Sequence, residues 1–145
     1  MIDLIISPNV MSEIWYLTNK CDNEVGGLLG FEFVGKNKLY CGRILTIPKG
    51  KYNSSYFEID ENALAEAMLN LIEKGDAFFV NGWWHSHVNM EVFLSQTDED
   101  TNRLILKNSR FVIPIVVNKH NNIFASVIFN NNIRTTDVNL SVGRV

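Results

Sequence analysis

Residues 82–87 read Gly-Trp-Trp-His-Ser-His, and an aspartate, Asp98, follows eleven residues after the second histidine. If this stretch is a strand, His85 and His87 leave the same face, roughly 6.5 to 7 Å apart along it. Asp98, from the next element, then completes a set of two nitrogen ligands and one oxygen ligand for a single metal ion. Three protein ligands of this kind leave tetrahedral zinc with one open position, where a bound water is a nucleophile near neutral pH. The stretch therefore indicates a hydrolytic site rather than a structural one.

Each candidate ligand also has an ordinary structural explanation. Two buried imidazoles without a shared partner would cost free energy, which favours ligation for His85 and His87. Asp98 stands with Glu99 and Asp100 in the first turn of a predicted helix, where a negative charge stabilises the helix by roughly 0.3–1 kcal/mol. Spacing alone does not choose among these three carboxylates. The ordinary interpretation of Glu99 and Asp100 is that they are solvated surface charges.

Four residues near this pattern carry expectations of their own. Ser95 begins a Ser-x-x-Asp sequence of the type that caps a helix start. Glu24 by itself is a charged residue at the start of a strand, but the apolar residues that follow it favour a position drawn toward the sheet. Strand alternation places Trp83 on the same face as the histidines and Trp84 on the opposite face, in the core.

The spacing of apolar residues predicts three helices. The first covers residues 8–20, with Ser7 as its N-cap and Pro8 at its first position. The second runs from Asp60, as N-cap, to about residue 74, where Gly75 ends it. Its apolar face is predicted to consist of Leu64, Met68, Leu69 and Ile72. The third begins at Thr97, with Leu104, Ile105 and Leu106 facing inward.

Runs of β-forming residues between polar turns predict the strands. These are expected over residues 4–6, 25–34, 39–47, 77–87, 111–117, 123–129 and 133–138. The pattern predicts an α+β fold with a mostly antiparallel mixed sheet flanked by helices.

Composition limits the possible roles. The chain has 145 residues, 46% of them hydrophobic and 20% charged, so we expect a single domain over residues 1–145. The net charge is −3 without a basic cluster, which argues against nucleic acid or an anionic membrane as the main partner. No run of 18 apolar residues and no signal peptide are found, so we expect a cytoplasmic protein. Cys21 and Cys41 lack the spacing of a metal motif and are expected to be ordinary thiols.

The order His-Ser-His at 85–87, seven residues, Ser95, two residues and Asp98 resembles the signature of the JAB/MPN metalloproteases, also called the JAMM family. Upstream, the stretch 24–30, which starts with a glutamate among small and apolar residues, is similar to a second family segment. The stretch 56–60, before a predicted helix, is similar to another. The resemblance thus covers most of the chain.

Two positions depart from the family pattern. Proline often follows the second histidine and precedes the serine in the family, whereas this chain has Val88 and Leu94. The shape of the loop between these positions is therefore not carried over from the family, although the ligands are.

The resemblance implies a JAB/MPN-like, cytidine-deaminase-like architecture and a zinc ion held by His85, His87 and Asp98. It implies that a zinc-bound water attacks an amide carbonyl, with Glu24 as general acid and base and Ser95 as donor to the oxyanion. The implied reaction is hydrolysis of a peptide or isopeptide bond at the C-terminus of ubiquitin or a ubiquitin-like protein. The chain would be a small stand-alone member of the prokaryotic or phage type.

The segment Lys51 to Phe57 is the candidate for an insertion that contacts such a substrate. An extended substrate tail is suited to pairing beside an exposed strand.

Two alternatives belong to other classes of protein. Some members of the wider family lack the ligands and serve as protein-binding scaffolds, so a non-catalytic MPN-type scaffold is the leading alternative. A zinc-dependent deaminase would need a Cys-x-x-Cys pair and a His-x-Glu motif, and the chain has neither. Ser86 has no base at a defined spacing, which gives a serine-histidine mechanism little support.

Overall fold

The computed structural model describes residues 1–46, 51–52, 57–59, 61–76 and 79–145. The helices found there are α1 (Pro8–Lys20), α2 (Glu61–Glu73) and α3 (Gln96–Leu106). The strands, in chain order, are β1 (Ile2–Ile6), β2 (Gly26–Gly35), β3 (Lys38–Thr46), β4 (Lys51–Tyr52), β5 (Phe57–Glu58), β6 (Gly82–Ser86), β7 (Phe111–Val117), β8 (Ile123–Ala125), β9 (Val127–Phe129), β10 (Arg134–Thr135) and β11 (Val138–Val142).

One mixed sheet forms the body of the molecule. Its strand order is β10-β9-β7-β6-β2-β3-β1-β11, and β8 also pairs with β7, while β4 and β5 form a separate two-stranded sheet. The pairs β1–β11, β1–β3 and β6–β7 are parallel. The other pairs in the main sheet are antiparallel. The predicted α+β class with a mostly antiparallel mixed sheet is confirmed.

The sheet separates two hydrophobic cores. The first packs α1 against β1 and β7 and contains Trp84. The second packs α2 and α3 against the sheet and contains Trp83. The predicted alternation of the two tryptophans is therefore confirmed. Because His85 follows Trp83 by two residues, its side chain leaves the sheet on the side of α2 and α3.

Strand β6 lies between β2 and β7, and all of its residues are buried. It is shorter than predicted, since the strand begins at Gly82 and residues 77–78 are outside the described residues. Gly82 is required at this start, because a Cβ there would lie 2.9 Å from the Phe31 ring and 3.1 Å from the Ile113 carbonyl.

The first helix agrees with its prediction. It spans Pro8–Lys20, and the Ser7 hydroxyl accepts the Val10 N–H at 3.2 Å. The second ends as predicted before Gly75, whose φ of 68° is readily adopted only by glycine. The predicted N-cap, Asp60, lies outside the described residues.

The predicted apolar face of α2 is partly wrong. Leu64 is buried, but Leu69 is 54% exposed and Ile72 is 70% exposed. The buried positions beside Leu64 are instead Ala63, Ala67 and Leu71. The buried face of α2 therefore lies to one side of the predicted stripe and includes two alanines.

The C-terminal strands also differ from their prediction. Residues 123–129 form two short strands that separate at Ser126, and both pair with β7. Residues 133–138 contain the two-residue β10 and only the first residue of β11, which was not predicted as a separate strand. The alternation of Val138, Leu140 and Val142 with polar residues is the period-2 signal that would have revealed β11.

None of the helices in the described ranges is long and apolar enough to cross a bilayer.

Candidate metal centre

The candidate ligands come from the end of β6 and the start of α3. His85 lies within β6 and His87 directly after it, where the His87 N–H donates to the Val117 carbonyl at 2.8 Å. Asp98 lies in the first turn of α3. The three side chains are 1–2% exposed. The sequence-predicted ligand set is therefore brought together in one buried cluster.

Their separations suit a single ion. Nε2 of His85 lies 3.0 Å from Oδ1 of Asp98, and Nε2 of His87 lies 3.4 Å from Oδ2. One ligand atom from each residue can be chosen so that all three lie within 4.8 Å of one another. Two ligand atoms on tetrahedral zinc are about 3.3 Å apart, given bonds of roughly 2.0–2.1 Å. A buried His-His-Asp group of these dimensions can hold a metal ion.

The imidazoles are oriented through their Nδ1 atoms. Nδ1 of His87 lies 2.7 Å from the Glu91 carbonyl oxygen, which can only accept, so Nδ1 carries the hydrogen and donates it. Nδ1 of His85 lies 3.3 Å from Oε1 of Glu24, also an acceptor. In both rings Nε2 therefore faces Asp98. A metal-ligating histidine commonly donates its other N–H to an oxygen in this way.

Charge in the cluster is balanced between His85 and Asp98. Burial lowers the pKa of His85, but its hydrogen bonds to Asp98 and Glu24 outweigh burial and hold that pKa above its usual value. Burial raises the pKa of Asp98, while its contacts with the two imidazoles bring it well below its usual range. A cation bound at Nε2 of His85 would compete with a proton at that nitrogen.

Asp98 is fixed by the cap of its own helix. Its N–H donates to the Ser95 hydroxyl at 3.2 Å, and its Oδ2 accepts the Ser95 N–H at 2.9 Å. This reciprocal pair is a capping box, so the predicted capping role of Ser95 is confirmed. The same contacts orient the carboxylate toward the imidazoles.

The neighbouring acidic residues have other partners. Glu99 is not a solvated surface charge: its carboxylate accepts from Arg134 at 2.7 Å and from the Asn102 amide at 3.0 Å. Burial raises the pKa of Glu99, but these hydrogen bonds and the Arg134 charge lower it overall. Asp100 is exposed and pairs with Arg103, in agreement with its prediction.

Glu24 lies in the cluster rather than in solvent. Its side chain is 3% exposed, and its position just before β2 brings Oε1 to Nδ1 of His85. The expectation that it is drawn toward the sheet is confirmed. This contact identifies Glu24 as an orienting partner of His85, and its role as a proton acceptor stays a prediction.

Two aromatic rings that the sequence did not assign to the site wall the cluster. Trp83 stacks on His85 with centroids 4.8 Å apart and planes 10° apart. Its indole N–H donates to the buried Asn102 amide at 2.8 Å, which links it to Glu99. Phe93 packs edge-on against His87 at 4.9 Å and is 47% exposed. Asn102 stands four residues after Asp98, on the same helical face, and that spacing was the available signal.

Comparison with known proteins gives a fold and no activity. No family profile matches the chain, and no curated protein matches it. The solution structure of protein DSY2949 from Desulfitobacterium hafniense is similar, with 15% sequence identity and a TM-score of 0.66, over 97% of this chain and 94% of that one. At this identity the likeness shows a shared fold alone.

Proposed function

We propose that this chain is a zinc-dependent hydrolase of the JAB/MPN type that cleaves a peptide or isopeptide bond. One observation carries the proposal: both imidazoles use Nδ1 on oxygen acceptors and turn Nε2 toward one buried carboxylate. The sequence signature at 85–98 supports the same conclusion. The JAB/MPN-like architecture and the cytoplasmic location belong to the proposal as well.

The donor set is suited to zinc in a catalytic rather than a structural site. Structural zinc sites use four protein ligands, often cysteines, whereas this cluster offers three. Among the described residues, the only His, Cys, Asp and Glu group of suitable dimensions is this one. When bound with an open position, zinc supplies an activated water and polarises a carbonyl.

Glu24 is the candidate general acid and base. Its carboxylate is buried beside His85 and adjacent to the ligand cluster, which is where a proton would have to be accepted from water and passed to a leaving nitrogen. The contact with Nδ1 gives the same side chain a second task, that of holding His85. These two tasks can be separated by substitution.

Ser95 is proposed to stabilise the developing oxyanion. Its hydroxyl oxygen accepts from the Asp98 N–H, so the hydroxyl hydrogen remains available to donate. The side chain is half-buried at the edge of the cluster, where a substrate carbonyl can reach it.

The proposed substrate is the extended C-terminal tail of a ubiquitin-like protein or its conjugate. Exposed apolar side chains beside the cluster, Phe93 and Met90, provide a wall for such a tail. Strand β4 and the first residue of β5 lie within the predicted Lys51–Phe57 insertion, and β5 contacts α3, although residues 53–56 are outside the described residues.

The test is cleavage of a ubiquitin-like protein fused to a C-terminal extension, with and without a zinc chelator. Wild-type protein should cut after the terminal residue of the ubiquitin-like part, and the chelator should block the reaction. Glu24→Gln keeps an oxygen that can accept from His85 but cannot take up a proton, whereas Glu24→Ala loses both capacities. We expect Glu24→Gln to bind zinc as wild type does and to lose about 10²–10⁴-fold in rate.

Several outcomes would contradict the proposal. Full activity in Glu24→Gln, with zinc lost only in Glu24→Ala, would reduce Glu24 to an orienting residue. Binding of the fusion without cleavage would favour the scaffold alternative. Cleavage that resists the chelator would remove the metal from the reaction.

A further inference from the structure

Val88, directly after the second histidine, has a backbone conformation that valine rarely adopts. Its φ is 61°, in the left-handed region where a β-branched side chain is strained. The His87 carbonyl accepts the Met90 N–H at 3.0 Å, so residues 87–90 form a turn with Val88 at its second position. Glycine is the usual residue at such a position when φ is positive.

Hydrogen bonds from three directions hold this turn. The Val88 N–H donates to the buried Ser86 hydroxyl at 2.9 Å, and the Val88 carbonyl accepts the Lys119 N–H at 2.7 Å. The Asn118 amide donates to the Met90 carbonyl at 3.0 Å. A strained backbone persists only where its surroundings fix it in this manner, and such strain is concentrated at functional sites.

The turn has a direct effect on a candidate ligand. By reversing the chain after His87, it brings the Glu91 carbonyl to 2.7 Å from Nδ1 of that histidine. This contact determines which nitrogen of His87 carries the hydrogen and which faces Asp98. A proline at position 88 would have φ near −65° and no N–H, so it could form neither this turn nor the bond to Ser86.

We propose that the left-handed backbone at Val88 positions His87 for metal binding. Val88 is a positioning residue that acts through the Glu91 carbonyl, and its conformation rather than its side chain is what matters. The inference rests on the proposed metal site but not on the proposed reaction.

The experiment compares Val88→Gly with Val88→Pro, because glycine adopts a positive φ freely and proline cannot. Zinc affinity, measured by competition with a chromogenic chelator, should stay within about threefold of wild type in Val88→Gly. It should fall by about 10–100-fold in Val88→Pro, the usual loss when a metal ligand loses its orienting partner. The thermal midpoint of the metal-free Val88→Gly protein should be unchanged or higher, since strain is relieved.

A matched control separates positioning from general damage. Asn37 also has a positive φ, 57°, but lies in the β2–β3 turn away from the cluster. Asn37→Pro should lower the thermal midpoint without changing zinc affinity. If Val88→Pro does not fold, Ser86→Ala provides the test. It removes only the hydroxyl that accepts the Val88 N–H and should lower zinc affinity several-fold.

Nitrogen NMR of the metal-free protein gives a readout that needs no metal. The His87 ring should show a hydrogen on Nδ1 in wild type and Val88→Gly, and a mixture of tautomers in Val88→Pro or Ser86→Ala. A Val88→Pro protein with wild-type affinity and an unchanged tautomer would overturn the inference, as would equal losses in the glycine and proline variants. A wild-type protein that binds no zinc would instead overturn the proposed function.

Discussion

The two ends of strand β6 both bury polar side chains, yet they do so in opposite ways. At the start, Asn81 is 4% exposed, accepts the Phe31 N–H at 2.7 Å and donates to the Phe31 carbonyl at 2.8 Å. At the end, His85 and His87 are buried at least as deeply but turn one nitrogen each toward Asp98. Burial alone therefore does not mark a functional site. The difference is whether polar atoms are satisfied by the backbone or converge on one another.

The start of the strand has a structural reason for its asparagine. The pairing of β2 with β3 shifts register between Gly30 and Phe31, which takes backbone groups out of the regular ladder. The Asn81 amide bonds both backbone groups of Phe31 and so satisfies them inside the protein. The Asn81 side chain carries no charge, and its two hydrogen bonds hold the sheet together.

Replacing His87 with alanine should have the largest effect, because it removes one of the three proposed metal ligands. Zinc content should fall from about one per chain to none, and added zinc should no longer raise the thermal midpoint. Metal analysis and thermal unfolding with and without zinc measure both. Stoichiometric zinc in the His87→Ala protein would place the ion elsewhere.

Replacing Asn81 with alanine should lower the stability of the protein and leave its zinc affinity nearly unchanged. Leaving the Phe31 N–H and carbonyl buried without partners should cost roughly 2–6 kcal/mol of unfolding free energy, at about 1–3 kcal/mol for each group. Zinc affinity should stay within about twofold of wild type, since the two ends of the strand do not share a hydrogen bond. Denaturant unfolding of the metal-free protein and a zinc titration provide the comparison. A large loss of zinc affinity would show that the two ends are coupled.

The smallest expected effect is that of pH on the stability of the metal-free protein. It concerns the end of β6 that carries His85 and not the end that carries Asn81. The raised pKa of His85 means that its contribution to the stability of the metal-free protein is present below its ordinary pKa and is lost as the pH rises through the raised value. The lowered pKa of Asp98 means that its contribution is present above its ordinary pKa and is lost as the pH falls toward the lowered value. The His85–Asp98 pair therefore stabilises the metal-free protein most between the lowered pKa of Asp98 and the raised pKa of His85.

Zinc binding should depend on pH in the opposite direction to the His85 contribution, because it should become tighter as the pH rises toward the raised pKa of His85. The ion needs a neutral imidazole, so below the raised pKa of His85 each zinc ion that binds displaces a proton from that ring. The apparent zinc affinity should therefore fall about tenfold for each pH unit by which the pH is lowered. Zinc titrations from pH 5 to 8 measure the slope. Asn81→Ala should leave the slope of zinc affinity against pH unchanged. A wild-type affinity that does not vary with pH would mean that zinc does not displace a proton from His85.

The candidate site was easier to predict than the sheet that carries it. The period-2 spacing of His85 and His87 and the helix start at Asp98 are local signals, and the geometry follows from them. The choice of Asp98 over Glu99 could not come from local pattern alone. In the folded protein Glu99 pairs with Arg134, a residue distant in sequence, instead of joining the cluster.

Other features depended on long-range packing and were missed for that reason. Leu69 and Ile72 fit a helical apolar stripe, but in the folded protein α2 buries a neighbouring face that contains Ala63 and Ala67. The pairing of β11 with β1 joins Asn139 to Asp3 across nearly the whole chain. The left-handed backbone at Val88 is held by hydrogen bonds from Lys119 and Asn118. These residues are distant in sequence, so no local pattern could have predicted the contacts.

The stacking of Trp83 on His85 has a practical consequence. An indole in van der Waals contact with an imidazole responds in its fluorescence to the charge that the imidazole holds. Trp84 lies on the opposite face of the same strand, in the other hydrophobic core. Titrating metal or acid into the protein should therefore change the emission of Trp83 more than that of Trp84, so the indole beside His85 can report optically on what the candidate site holds.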